Sequence, residues 1–191
     1  GEYQFKMQHL TMLFGLRKAV KTNSPDLLSR GGNDSLVVNS DVTTDHEMLV
    51  RAIHSVNKEL NNETLEGLTK ALGLVRDLPF AGHDYVWADA EGITSNIVLS
   101  IVTGALILAE HHLAINDLEK VFWATGKGLQ ALRGHEPLIA LRMKAHAKNQ
   151  NISGINAEWN AYVRIRMADD NFYDRKSNGL SSLRDRLISS A

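Results

Sequence analysis

Residues 92–109 read G-I-T-S-N-I-V-L-S-I-V-T-G-A-L-I-L-A. The run carries no charge and approaches the roughly 20 apolar residues that a helix needs to cross a bilayer. Thr94, Ser95, Asn96, Ser100 and Thr103 dilute it, however, and neither tryptophan nor basic anchors flank it. An uncharged, mostly apolar helix diluted in this way belongs inside a soluble protein. The stretch is therefore read as the central buried helix of a soluble domain, covering about 94–113, with no membrane partner.

Downstream of it, Asn116 with Glu119 looks like a capping pair that opens a helix over 117–132. Gly126 and Gly128 weaken that helix by about 1 kcal/mol each relative to alanine, so a bend is expected there. Gly134 ends it, and Pro137 sits where a first-turn proline belongs, starting a helix over 136–148. Residues 149–154 read as a turn, and a last short helix covers about 180–188.

Upstream, residues 80–91 (F-A-G-H-D-Y-V-W-A-D-A-E) read as irregular or as a short strand. A helix over 63–78 stops at Pro79. Asn61 and Asn62 link it tightly to a preceding helix that ends near Leu60, an antiparallel helical hairpin. T-T-D-H-E places Thr44 as N-cap with Glu47 three residues on, a capping box that satisfies two orphan backbone donors. S-L-V-V-N at 35–39 is a strand candidate by its β-branched pair, residues 22–33 are dense in turn formers, and residues 3–20 read as a helix.

Residues 162–176, Y-V-R-I-R-M-A-D-D-N-F-Y-D-R-K, fit two conformations. As a strand, Arg164 and Arg166 point one way and Val163, Ile165 and Met167 the other. As the end of a helix from Ile155, the stripe Ile155, Trp159, Tyr162 and Val163 is well formed. In that case the two arginines lie about 200° apart, with Arg166 inside the stripe. A helix that gives way near Val163 satisfies both patterns. The expected fold is α+β and predominantly helical: one compact domain over 1–191, with about seven helices and a few short strands.

A chain of 191 residues is long enough to bury a sizeable core without staples. It has no cysteine, which excludes disulfides, thiolate catalysis and cysteine-ligated metal, and which is compatible with a cytoplasmic protein. The opening residues lack the pattern of a secretory signal. Charge is distributed unevenly. Residues 1–119 hold 9 Lys/Arg against 16 Asp/Glu, a net of −7, and residues 120–191 hold 12 against 6, a net of +6. Asymmetry between halves points to a polyanion-binding surface. It also fits two halves that face each other within or between subunits.

The basic part supplies Arg142, Lys144 and Lys148 on one helix, then Arg164, Arg166, Arg175 and Lys176, with Tyr162 and Tyr173 interleaved. Nucleic acid requires cations to replace condensed counterions, and single strands add bases that stack on flat aromatic faces. These nine residues form the candidate site. With no recognition module in the chain, contacts are expected mainly to the phosphate backbone, with little sequence preference. The nearby Asp169, Asp170, Asp174 and Asp185 could instead neutralise the arginines.

Other chemistry finds less support. His83, Asp84, Asp89 and Glu91 offer oxygen and nitrogen ligands for a divalent cation, but no second carboxylate cluster completes a site, and acids before a helix are favoured by its dipole alone. Adjacent His111 and His112 point about 100° apart, and His46 and His54 lie two turns apart, so neither pair chelates. No G-x-S-x-G or G-x-G-x-x-G occurs, and A-T-G-K-G-L-Q at 124–130 lacks the phosphate-loop spacing. The sequence reads as a non-catalytic nucleic-acid-binding protein without cofactor or metal, and as a homo-oligomer. Its alternative is an oligomeric scaffold, and a metal-dependent enzyme comes third.

Overall fold

The computed structural model describes residues 28–30, 36–38, 43–82, 85–168 and 178–190. Eight helices occupy them: α1 (Asp45–Lys58), α2 (Asn62–Gly73), α3 (Val86–Ala90), α4 (Ile93–Ala114), α5 (Leu118–Ala131), α6 (Glu136–Lys148), α7 (Ile152–Ala168) and α8 (Asn178–Ser189). Two three-residue strands, β1 (Leu28–Arg30) and β2 (Leu36–Val38), form an antiparallel ribbon with Leu28 opposite Val38.

The α+β expectation is corrected: among the described residues the architecture is built from helices, the small ribbon aside. A two-stranded ribbon of this length provides no sheet face on which helices could form a second layer. Two segments whose reading left an extended conformation open contain helix instead. The 80–91 stretch contains α3, and α7 continues without a break through Arg164, Ile165 and Arg166 to Ala168. In the latter the helical stripe of Ile155 and Tyr162, both buried, outweighs the period-2 alternation that follows it.

Local chemistry explains the helix starts. Thr44 caps α1 with the full box: its Oγ1 accepts from Glu47 N at 3.1 Å, and Glu47 Oε2 accepts from Thr44 N at 2.9 Å. Asn61 and Thr64 repeat the arrangement on α2. The cap of α5 is Asp117, which accepts from Lys120 N, rather than Asn116; Asn116 takes a left-handed φ of 63° in the turn before it. Asn151 Oδ1 accepts from Gly154 N at 2.8 Å, so α7 begins at Ile152, inside the segment read as a turn. Helix α2 ends at Gly73, well before Pro79, and its last turn tightens through Leu74 N to Ala71 O and Val75 N to Leu72 O. The expected helix over 3–20 lies outside the described residues.

The 92–109 stretch lies within α4 except for Gly92, which precedes it at φ 71°. By length and composition this helix could cross a membrane, with mean hydropathy 1.7 over its most apolar window. One arc of it, including Ile101, Val102, Ala105, Leu108 and Ala109, is buried against α1, α2, α5 and α6. The opposite arc is less covered, and Leu99 there is 59% exposed.

Helix α6 forms a wall between two apolar clusters. Leu138, Leu141 and Ala145 pack with α1, α2, α4 and α5, whereas Ile139 and Met143 pack with Ile155 and Tyr162 of α7 and Leu180 of α8. Helix α5 runs unbroken past its two glycines. Gly128 serves packing: a Cβ there would fall 2.6 Å from Leu138 Cδ1 and 2.9 Å from Ala105 Cβ. Helices α4, α5 and α6 meet at this point closely enough that only glycine fits.

Candidate nucleic-acid interface

The structure distributes the expected basic residues over several surfaces. Arg142 is a strut within the helical packing. Its Nε and Nη2 reach Glu158 Oε1 at 2.8 and 2.7 Å, its Nη1 reaches Phe122 O and Thr125 Oγ1 at 3.4 Å, and its guanidinium lies 5.1 Å from the Phe122 ring centroid. The group therefore joins α5, α6 and α7. Lys148 Nζ donates to Leu113 O at 2.7 Å and satisfies a carbonyl at the end of α4. Tyr162 is buried, and its hydroxyl donates to Glu136 Oε1, so its ring is not a stacking platform.

Lys144 and Arg164 are exposed and Arg166 is half-buried, and none has a polar partner among the described residues. On α7 the two arginines lie about 200° apart, so they do not share a face. Arg184 of α8 donates to Asn156 Oδ1 through Nε and Nη2 at 2.9 and 2.8 Å. Tyr173, Arg175 and Lys176 lie outside the described residues. The six candidates among the described residues are thus not brought together as one patch.

Three arginines do converge elsewhere. A surface groove of about 490 Å³ is lined by Arg76, Arg133 and Arg142, with Gly126 and Gln130 of α5 and the carboxylates Asp77 and Glu158. Arg76 and Arg133 are exposed. Each is held by a specific local device. Lys127 Nζ of α5 donates to Val75 O, which ties the segment after α2 against α5 and delivers Arg76 to the groove. Gly134, at φ 75°, turns the chain between α5 and α6 beside Ile165 of α7, and Arg133 precedes it. With Glu158 neutralised by Arg142, the groove is left with two exposed cations against Asp77.

Sequence reasoning missed Arg76 and Arg133. Arg76 belongs to the acidic part of the chain, and the Lys127–Val75 contact, across 52 positions, helps bring it to the basic part. The residue beside it, Asp77, accepts from Leu78 N at 2.8 Å and stays at the surface. Trp123 is also on the outer face of α5, 36% exposed, one turn before Gly126 and two before Gln130.

The second concavity is an apolar cleft of about 660 Å³ between α1, the end of α2, the segment through Ala81, and α4. Leu49, Leu74, Val75, Ile97 and Ile101 line it, and Arg76 and Asp77 border both concavities. His46 Nε2 stands 3.2 Å from Ser100 Oγ near its mouth.

The metal reading gains no cluster: among the described residues no three histidines or carboxylates gather to hold an ion. His83 and Asp84 lie outside those residues, and Asp89 and Glu91 are exposed at α3. His146 is packed between α6 and α7, with Nε2 3.5 Å from Glu158 Oε1 and its ring 4.6 Å from that of Phe122. His112 is buried, which holds its imidazole below the usual histidine range even though Asp117 stands 3.8 Å away. Burial does the same to His135.

Comparison with protein-family models, with curated proteins and with solved structures gave no match to this chain. The fold and the groove define its class: a helical domain that carries a cationic surface groove.

Proposed function

We propose that this chain is a non-catalytic nucleic-acid-binding protein that holds the phosphate backbone in the groove of Arg76, Arg133 and Arg142, with little sequence preference. The observation that carries this reading is the convergence of exposed arginines from two distant parts of the chain on one concave surface. Guanidinium groups pair well with phosphate oxygens through their forked donors. Arg142 is already engaged by Glu158 and supports the groove from behind, so Arg76 and Arg133 make the phosphate contacts. Backbone contacts position a nucleic acid without reading it.

The test is a mobility-shift series with single- and double-stranded oligonucleotides from low to physiological salt. Retardation at low salt that fades as salt rises is the expected result, because counterions released by phosphate contacts drive binding. No retardation at low salt removes the reading.

A second reading, self-association, is favoured by the outer arc of α4. Leu99 is 59% exposed, Leu106 and Ile107 are half-buried, and Thr103 lies between them. A second copy of the chain covering this arc would remove apolar area from water. Light scattering at low and high salt is expected to give a mass above that of a 21.2 kDa monomer. A strict monomer in both conditions counts against this reading.

A further inference from the structure

The nucleic-acid reading leaves the apolar cleft between α1, the end of α2, the segment through Ala81 and α4 unused. Its volume of about 660 Å³ lies in the range of roughly 300–1,000 Å³ typical of small-molecule pockets, which are mostly apolar with a few polar groups that fix orientation. Leu49 of α1, Leu74 after α2, and Ile97 and Ile101 of α4 supply apolar walls. Phe80 adds a ring. Its backbone takes a left-handed φ of 60°, which an aromatic residue rarely adopts, and its ring packs edge-on against Tyr85 at 5.5 Å. Such a backbone persists only where its surroundings over-determine it, so this wall is preformed.

The polar lining carries both signs: Arg76 and Asp77 at the border with the groove, and Asp45 at the start of α1. All three are exposed. Each acid engages one backbone N–H, Asp45 that of His46 at 3.0 Å and Asp77 that of Leu78 at 2.8 Å. Arg76 has no hydrogen bond or ion pair among the described residues. A purely anionic head group would meet two carboxylates here, and a purely cationic one would meet the guanidinium. A head that carries both charges matches the lining, with a phosphate for the donors of Arg76 and an ammonium for the acids. The apolar walls remove a hydrocarbon chain from water. A concave wall of this kind encloses one chain, whereas lying on a bilayer takes an amphipathic face pressed into it.

We propose that the cleft takes a single-chain zwitterionic amphiphile from solution, its chain against Leu49, Leu74 and Ile101 and the phosphate of its head on Arg76. The site does not depend on nucleic-acid binding, although both engage Arg76.

Isothermal titration calorimetry of the full chain with dodecylphosphocholine, below its micellar concentration, tests this. One molecule is expected to bind per chain, and decylphosphocholine, shorter by two methylenes, should bind roughly tenfold more weakly. Dodecyl phosphate, dodecyltrimethylammonium and dodecyl maltoside should each bind about tenfold more weakly than dodecylphosphocholine, through loss of a charge-assisted contact. Arg76→Gln should lower dodecylphosphocholine affinity by about tenfold and leave maltoside affinity unchanged. Leu78→Asp, at a cleft residue that is 44% exposed, should weaken both probes in a chain whose helix content by circular dichroism is unchanged. No saturable binding, equal affinity for the two chain lengths, full affinity in the Leu78→Asp variant, or binding to phosphatidylcholine vesicles without binding of the monomeric probes overturns the proposal. Equal affinity for all four heads, or full affinity in Arg76→Gln, overturns the zwitterionic assignment. No oligonucleotide enters these titrations, so failure of this site and failure of the nucleic-acid reading are told apart.

Discussion

Gly126 and Gly128 carry the same amount of information in the sequence, and both read there as places where α5 should weaken. Their surroundings separate them. Gly128 is enclosed by Leu138 and Ala105, whereas Gly126 opens to the groove. Gly128→Ala is expected to cost about 1–3 kcal/mol through overpacking, read as a lower urea midpoint. Gly126→Ala should instead stabilise the protein by up to roughly 1 kcal/mol, since alanine is the better helix former and meets nothing. A single residue also sets part of the pH dependence. Because burial lowers the pKa of His112, and less strongly offsetting charge comes from Asp117, the unfolded chain binds a proton that the folded one resists. Stability from this group is full above about pH 6.5, the unfolded value, and falls as pH drops toward the lowered folded value. Melting temperatures at pH 7.5 and 5.5 should therefore differ more in the wild type than in His112→Leu.

At the level of elements, much of the helical framework was legible. The Thr44 box, the Asn61–Asn62 link and Pro137 are local chemistry, fixed within one turn of chain, and each marks a helix start in the structure. Elements decided by tertiary contact were not legible. Whether α7 continues past Val163 depends on Tyr162 finding Glu136 and on Ile165 meeting the Gly134 turn, both on other elements. The same holds for Arg142, which the sequence offers as a phosphate contact, and for His146 one turn further along α6. Glu158 of α7 converts both into an interhelical cluster. Removing that carboxylate leaves a part-buried guanidinium without its charge partner. Glu158→Ala is expected to cost about 2–3 kcal/mol in urea denaturation. By freeing Arg142 it should also raise nucleic-acid affinity in any variant that remains folded.

At the scale of the whole molecule, the −7 and +6 parts of the sequence do not stay separate among the described residues. Tertiary structure uses several late cations internally: Arg142 on Glu158, Lys148 on Leu113 O and Arg184 on Asn156. It also recruits Arg76 from the acidic part. Linear charge therefore does not locate a binding surface, and the fold brings Arg76 and Arg133 together on a groove that it does not mark. The central claim is this convergence, and salt-dependent binding of a single-stranded oligonucleotide measures it. Arg76→Ala combined with Arg133→Ala should weaken binding and flatten the plot of log K against log salt by about 1.4, roughly 0.7 for each lost phosphate contact. Lys144→Ala combined with Arg164→Ala should leave both affinity and slope nearly unchanged. If instead the Lys144 and Arg164 pair carries the salt dependence and the groove arginines do not, the binding surface is the one suggested by the sequence and the groove is not the site.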